Sequence, residues 1–331
     1  MENEKKIPAV IGIGNALVDI INVLESDALL EEFNLRRGSM TLVDAELSRK
    51  LYDAAYFSKR EITTGGSAAN TIYALANLGV NCGYIGKIGN DMLGKIFRDE
   101  FERKKINTHL LTSTKDTGRV IGLVSPDSER TMATYLGAAS DLNTEDLSRS
   151  IFRGYSILYI EGYLVQDHNL IETAMDLAKK EHLSVAIDLS SYNVVENNLS
   201  FLKRIVSEKV DIVFANEEEA YAFTGEKPEK AVEEISSMCD IAVVKTGKEG
   251  SLIQSGERKI RIDSVKVNAL DTTGAGDNYS AGFILGLIRG YDLEKSGRIA
   301  SLVSGKVVEV IGAKIPEIMW PGLLKEIEEM H

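Results

Sequence analysis

Cysteine is scarce in this chain: Cys82 and Cys239 are the only two, far apart and each in an apolar context. That excludes a disulfide-built fold and fits a reduced, cytoplasmic setting. Histidine is equally thin. His109, His168, His182 and His331 show no ligand spacing with the cysteines, which argues against a zinc site. Positive charge is in deficit, with 38 Lys and Arg against 50 Asp and Glu, a net charge of −12. No basic stripe can offset that acidity, so nucleic acid is not expected as a partner. Long apolar runs are missing too. No stretch approaches about 18 apolar residues, and the opening Met-Glu-Asn-Glu-Lys-Lys lacks the apolar run of a signal peptide, so no membrane partner is expected. Internal repeats and low-complexity linkers are absent as well.

What is present is the composition of an ordinary globular protein, 331 residues with 44% hydrophobic and 27% charged, ample for one large core or two modest domains. Val10–Ile13 reads as a short buried strand, followed by an aliphatic stretch from Ala16 to Val23 with Asp19 in its midst. Met40–Val43 reads as another strand, and Gly118–Val124 with Arg130–Tyr135 as a hairpin around Pro126-Asp127-Ser128. These pieces suit a small sheet standing apart from the main core. From Gly65 the rhythm changes. Ser67–Leu78 and Asp91–Lys105 read as helices with Cys82–Ile88 as a strand between them. After residue 150, strands at 157–160, 185–189, 210–215 and 241–245 alternate with helical patterns. Apolar strands alternating with helices predict an α/β fold with a mainly parallel, doubly covered sheet.

Ligands of such sheets gather at the carboxyl ends of the strands, and polar clusters follow several strands there. Asn15 and Asp19 follow the first; Gly65-Gly66-Ser67-Ala68-Ala69-Asn70 opens the first strong helix. Asn216-Glu217-Glu218-Glu219 and Lys245-Thr246-Gly247-Lys248-Glu249-Gly250 follow later strands. Asp271-Thr-Thr-Gly-Ala-Gly-Asp277 opens an apolar helix whose end Gly290 caps. A glycine turn feeding a helix N-terminus presents unpaired N–H groups and the positive end of the helix dipole, an anion site. A carboxylate beside it, Asp277, suggests acid/base chemistry, against the plainer reading of a capping Asp. Two nucleotide motifs fail: Gly12-Ile-Gly14 has Leu17 where the third glycine belongs, and Gly89 to Lys95 has Ile96 where a P-loop needs Ser or Thr.

The Asp271–Asp277 heptapeptide resembles the second signature of the ribokinase (PfkB) family of carbohydrate and nucleoside kinases. Gly65–Asn70 followed by Gly86 to Gly94 is similar to the first signature, and Asn216-x-x-Glu219 to the family's Mg²⁺/phosphate motif. The matches fall in family order. Gly14-Asn15-Ala-Leu17-Val-Asp19 and Arg130 to Leu136 look most like adenosine kinases. The resemblance implies a single ribokinase-like domain over residues 1–331, with a small β lid from about 16–62 and 113–138. It implies an ATP-dependent kinase acting on a primary hydroxyl, most simply that of adenosine, with another nucleoside, a ribose- or fructose-type sugar, or a non-catalytic sensor as the alternatives. By resemblance Asp277 would be the base. The N–H groups of Gly274, Ala275, Gly276 and Asp277 would form the anion hole, with Arg130 as a charge clamp. Asp19 would grip ribose hydroxyls, joined by Asn15, Asn70, Gly65 and Gly66, while Leu17, Met132 and Leu136 would cover the base. Asn70 also reads as a buried helix residue bonded to backbone. Lys245, Thr246, Gly247, Gly250 and Gly312 would run along ATP. Asn216 and Glu219 would hold Mg²⁺ largely through water, although Glu219 also reads as one of three solvated glutamates starting a helix. A monovalent cation such as K⁺ near Asp271 and Thr273 is implied, and a monomer or homodimer is expected.

Overall fold

The computed structural model describes residues 9–55, 59–127 and 129–330. Ser128 of the expected turn, His331, the first eight residues and residues 56–58 lie outside the described residues. The strands are β1 (Ala9–Ile13), β2 (Leu17–Val23), β3 (Met40–Leu42), β4 (Lys59–Gly65), β5 (Asn81–Gly89), β6 (Asn107–Ser113), β7 (Gly118–Val124), β8 (Arg130–Tyr135), β9 (Ile157–Glu161), β10 (Ser184–Asp188), β11 (Ile212–Asn216), β12 (Ile241–Lys245), β13 (Ser251–Ser255) and β14 (Arg258–Ile262). The helices are α1 (Ala28–Glu32), α2 (Ala45–Ala54), α3 (Ser67–Asn77), α4 (Met92–Arg103), α5 (His168–Lys180), α6 (Tyr192–Asn197), α7 (Leu199–Lys209), α8 (Glu217–Thr224), α9 (Pro228–Ser236), α10 (Ala275–Ile288), α11 (Leu293–Val307) and α12 (Trp320–Glu329).

Nine strands form the main sheet in the order β14-β13-β12-β11-β10-β9-β1-β5-β6. Its strands from β12 to β6 run parallel, and the β13–β14 pair joins antiparallel at one edge. Alternate residues of each strand feed opposite layers, as the period of two requires. Val10 packs with Phe283, Ile299 and Trp320 under α3, α10, α11 and α12, whereas Ile11 and Ile13 pack with Leu170, Val206 and Phe223 under α5, α7 and α8. Burial on both faces explains why these strands read as continuous apolar runs. β1 corrects the sequence reading: it lies between β9 and β5 in the interior of this sheet, every residue buried, and not in the smaller one.

The second sheet has the order β3-β8-β7-β2-β4 and is built from two excursions of the chain. The β7–β8 hairpin is antiparallel, and β2 pairs with β7 in parallel and with β4 antiparallel. Its strands show the two-faced pattern of a half-covered sheet. Ile121, Leu123 and Ala133 face a separate small core with Leu30 of α1 and Leu51 of α2, while Val120, Met132 and Thr134 face the main sheet's carboxyl edge. Among the described residues no helix is long and apolar enough to cross a membrane.

Candidate active site

A cavity of about 1370 Å³ opens between the smaller sheet and the carboxyl ends of β1, β9, β10, β11 and β12. Its floor includes the first turn of α10. Gly274 is the N-cap residue in the left-handed conformation, φ 73°, so Ala275, Gly276 and Asp277 form the first helical turn. The Ala275 N–H is committed to the Thr272 carbonyl at 3.2 Å. That removes Ala275 from the expected set of free donors and leaves the N–H groups of Gly274, Gly276 and Asp277 without a protein acceptor among the described residues.

Asp277 stands on this turn and is held by α3. Ser67 Oγ donates to Asp277 Oδ1 at 2.7 Å and Asn70 Nδ2 donates to Oδ2 at 2.9 Å. Desolvation pushes the Asp277 pKa up to about 6; the Asn70 and Ser67 donors pull the other way, and the Asp188 charge adds to the rise. The group is therefore ionised at neutral pH yet basic enough to take a proton. Asn70 thus has a partner that neither sequence reading included. Its Oδ1 is buried and has no hydrogen-bond partner.

Two carboxylates that sequence reasoning missed close the floor. Glu161, at the end of β9, is 1% exposed. It accepts from the Asn15 side chain at 2.5 Å, the Asn15 N–H at 3.3 Å and the Ala68 N–H at 3.0 Å. One carboxylate so ties the exit of β1 to the N-terminus of α3, the helix that carries Ser67 and Asn70. Burial lifts the Glu161 pKa to about 7, with those hydrogen bonds opposing and the Asp277 charge adding. Asp188, at the end of β10, pairs with Lys245 Nζ at 2.7 Å. The available signal was the same in both: a carboxylate as the last residue of an otherwise apolar parallel strand.

Asn216 and Glu219 form a capping box at the start of α8. Asn216 Oδ1 accepts the Glu219 N–H, and Glu219 accepts the Asn216 N–H and side-chain amide, each at 2.8 Å. Glu219 is buried, not solvated as one reading had it, and burial followed by the Asp188 charge raises its pKa. Among the described residues there is no group of three or more His, Cys, Asp or Glu side chains that could hold a metal ion. Lys245 stays charged: burial opposes the ammonium, but Asp188 and then Glu219 outweigh it and raise its pKa.

The cavity is lined by Asn15, Leu17, Gly66, Asn70, Met132, Leu136, Asn216, Glu219, Lys245, Gly247, Ala275, Gly276 and Asp277 of the expected residues. Asp19, Gly65, Arg130, Thr246, Gly250, Gly274 and Gly312 do not line it. The Asp19 carboxylate fills the space where Gly65 would carry a Cβ, which is why only glycine fits there. Burial raises the Asp19 pKa to about 6 against the pull of Lys314 and Arg130. Arg130 is bound elsewhere: Nη2 pairs with Asp271 Oδ2 at 2.8 Å and Nη1 donates to Thr273 Oγ1 at 3.2 Å. The Gly312 N–H donates to the same Asp271 oxygen at 2.6 Å. The Thr246 N–H and Gly250 carbonyl close the β12–β13 turn at 2.8 Å. Met40 and Leu42 of β3, read from the sequence as part of a strand but not as site residues, add exposed apolar surface to the cavity.

Residues 38–319 match the model of the pfkB family of carbohydrate kinases. The chain is 33% identical to the solved adenosine kinase from Sinorhizobium meliloti, with a TM-score of 0.87, covering 97% of this chain and 99% of that one. A probable sugar kinase protein from Rhizobium etli CFN 42 is 30% identical with a TM-score of 0.86, over 96% and 99%. The 5-dehydro-2-deoxygluconokinase of Bacillus subtilis is 28% identical over 324 residues, 92% of this chain and 91% of that protein. With the Asp277 turn, the two-sheet fold and these matches together, the chain belongs to the pfkB family of carbohydrate and nucleoside kinases, phosphotransferases that use an alcohol group as acceptor.

Proposed function

We propose that the protein transfers the γ-phosphoryl group of ATP to the primary hydroxyl of a nucleoside, with adenosine the preferred acceptor. The observation that carries this reading is the juxtaposition of Asp277 with an apolar slot from Leu17, Met40, Leu42, Met132, Leu136 and Leu164. A flat purine gains from filling such a slot, whereas a bare sugar leaves it wet. Asp277 takes the proton of the attacking hydroxyl, and the N–H groups of Gly274, Gly276 and Asp277 receive the transferring phosphoryl. Asp19, which does not line the cavity in this structure, meets vicinal hydroxyls past Gly65 and Gly66 once the smaller sheet has closed. The smaller sheet serves as a lid that excludes water as it closes.

ATP lies along Lys245 and Gly247, its adenine beside Gly312, where Leu270 and Ile311 are exposed. The donor set fits Mg²⁺: oxygen ligands only, with the Glu219 carboxylate and the Asn216 amide side by side, and most of the ion's shell left to water and phosphate. Bound there, Mg²⁺ would neutralise phosphate charge. A monovalent cation beside the Asp271–Thr273 loop is part of the same proposal.

A coupled ADP-release assay over nucleosides, ribose and fructose tests the reading, with the highest kcat/KM expected for adenosine. A sugar outperforming every nucleoside would replace it with a sugar kinase. One observation favours that second reading: Gln166, Asn193 and Asn197 make part of the cavity wall polar.

A further inference from the structure

Phosphoryl transfer carries an anion into a cavity that is itself strongly acidic. Glu161, Asp188, Glu219 and Asp277 all line it, and Lys245 is the sole cationic side chain among the described residues that do. Arg130, the other candidate for meeting the phosphoryl charge, is paired to Asp271 and Thr273 and does not line the cavity. Lys245 ends the buried strand β12, so its backbone is fixed and only the side chain reaches forward. Its side chain is 14% exposed, and its Nζ lies 2.7 Å from Asp188 Oδ2. The ammonium also stands against the first turn of α10: a Cβ on Gly276 would lie 3.1 Å from Nζ. It is therefore beside the first turn of α10, whose Gly276 and Asp277 N–H groups have no protein acceptor among the described residues.

We propose that Lys245 is a catalytic residue whose ammonium donates to a non-bridging oxygen of the transferring phosphoryl group, and that Asp188 is the positioning residue that holds it beside Gly276. The proposal rests on the family's phosphotransfer reaction and not on the choice of adenosine. The step balances without a proton from Lys245. The acceptor oxygen forms its bond to phosphorus as the bond from phosphorus to the ADP oxygen breaks, and the hydroxyl proton passes to Asp277. Lys245 keeps its three protons and supplies only charge and one hydrogen bond. Because the phosphoryl group spreads its charge over its equatorial oxygens in the transition state, a fixed donor there acts on kcat more than on nucleotide binding.

The test compares K245M, K245A, D188N and R130M with wild type, using ATP and the fastest acceptor of the nucleoside and sugar panel. A failure of the adenosine reading therefore leaves the comparison measurable. K245M is expected to lower kcat about 10²–10³-fold, the worth of a preorganised charge donor, with the KM for ATP changed far less. Methylammonium is expected to restore part of the K245A loss and none of a D277N loss. D188N should lower kcat by about tenfold, since the ammonium remains but is no longer aimed, and R130M should leave kcat closer to wild type than K245M does. A folded K245M with kcat within about threefold of wild type, a loss confined to the KM for ATP, or R130M losing more kcat than K245M would each overturn the proposal. Should K245M fail to fold, the K245A rescue decides: no gain in kcat with methylammonium refutes the role.

Discussion

Replacing Ser67 by alanine isolates one of the two hydrogen bonds that set the basicity of Asp277. In the wild type, Ser67 Oγ donates at 2.7 Å to Oδ1 and Asn70 Nδ2 donates at 2.9 Å to Oδ2, while desolvation holds the carboxyl at a pKa of about 6. Both donors favour the ionised form, so losing one raises the pKa. A hydrogen bond to a charged group is worth about 1.5–3 kcal/mol, and about 1.4 kcal/mol corresponds to a tenfold change in the ionisation equilibrium. Water entering from the cavity replaces part of the lost bond. The acid limb of kcat/KM should then move from about pH 6 to about pH 7. At pH 6 the ionised fraction drops from about one half to about one tenth, roughly a fivefold loss, while the rate above about pH 8.5 changes little. The measurement is kcat/KM from pH 5 to 9 by coupled ADP release, with the coupling enzymes in excess and a thermal melt to verify folding. An acid limb that stays in place, or moves to lower pH, refutes the assignment of Asp277 as the group that must be ionised.

Asp277→Asn should keep the fold and ATP binding but lose about 10²–10⁴ in turnover; activity within a few-fold of wild type removes Asp277 from the base role. Glu161 has a folded pKa of about 7, above the ordinary carboxylate value, so its contribution to stability is fully present at low pH and is lost as pH rises through about 7. The melting temperature of the ligand-free protein should therefore carry a downward component between pH 5 and 7.5, and Glu161→Gln should flatten it; an identical slope in the variant contradicts the burial argument. Phe283 is fully buried and packs edge-on against Phe214 at 5.7 Å, so Phe283→Ala should cost about 3–5 kcal/mol in urea unfolding. A cost below about 1.5 kcal/mol would mean that this layer is not tightly packed.

The α/β class and the parallel sheet were legible because buried strands and amphipathic helices repeat with fixed periods. The Asp277 turn was legible because a small-residue turn feeding an apolar helix has few other uses. β1 was misplaced because Ala9–Ile13 is too short for its pattern to say which sheet it joins; only its pairing with β5 and β9 does. β4 was missed because Lys59–Gly65 is polar and takes its place from the register with β2. Glu161 and Asp188 were passed over for a different reason. Each is one carboxylate at the end of a strand, and its meaning comes from partners far off in sequence, Ala68 and Lys245. Arg130 has the same lesson in reverse: its charge was plain, but its contact with Asp271 depends on how the smaller sheet meets the α10 turn.

The smaller sheet has a small core of its own behind it. Leu30 and Leu51 fill the rear of β7 and β8, where Ile121, Leu123 and Ala133 point. Rear and front residues alternate along the same strands, so one set holds the unit together and the neighbouring set meets the ligand. Such a unit keeps its rear packing apart from the cavity, while its β2 edge is anchored: Val18 and Ile20 are buried in the main core and Ile62 of β4 packs against it. It also separates two kinds of change. Substitutions at Met40, Met132 or Thr134 are expected to change what the enzyme accepts at little cost to folding, and substitutions at Leu51 or Ile121 to destabilise the smaller sheet while leaving selectivity alone. A family whose members phosphorylate both sugars and nucleosides needs that independence, and here it follows from the pleat of three short strands.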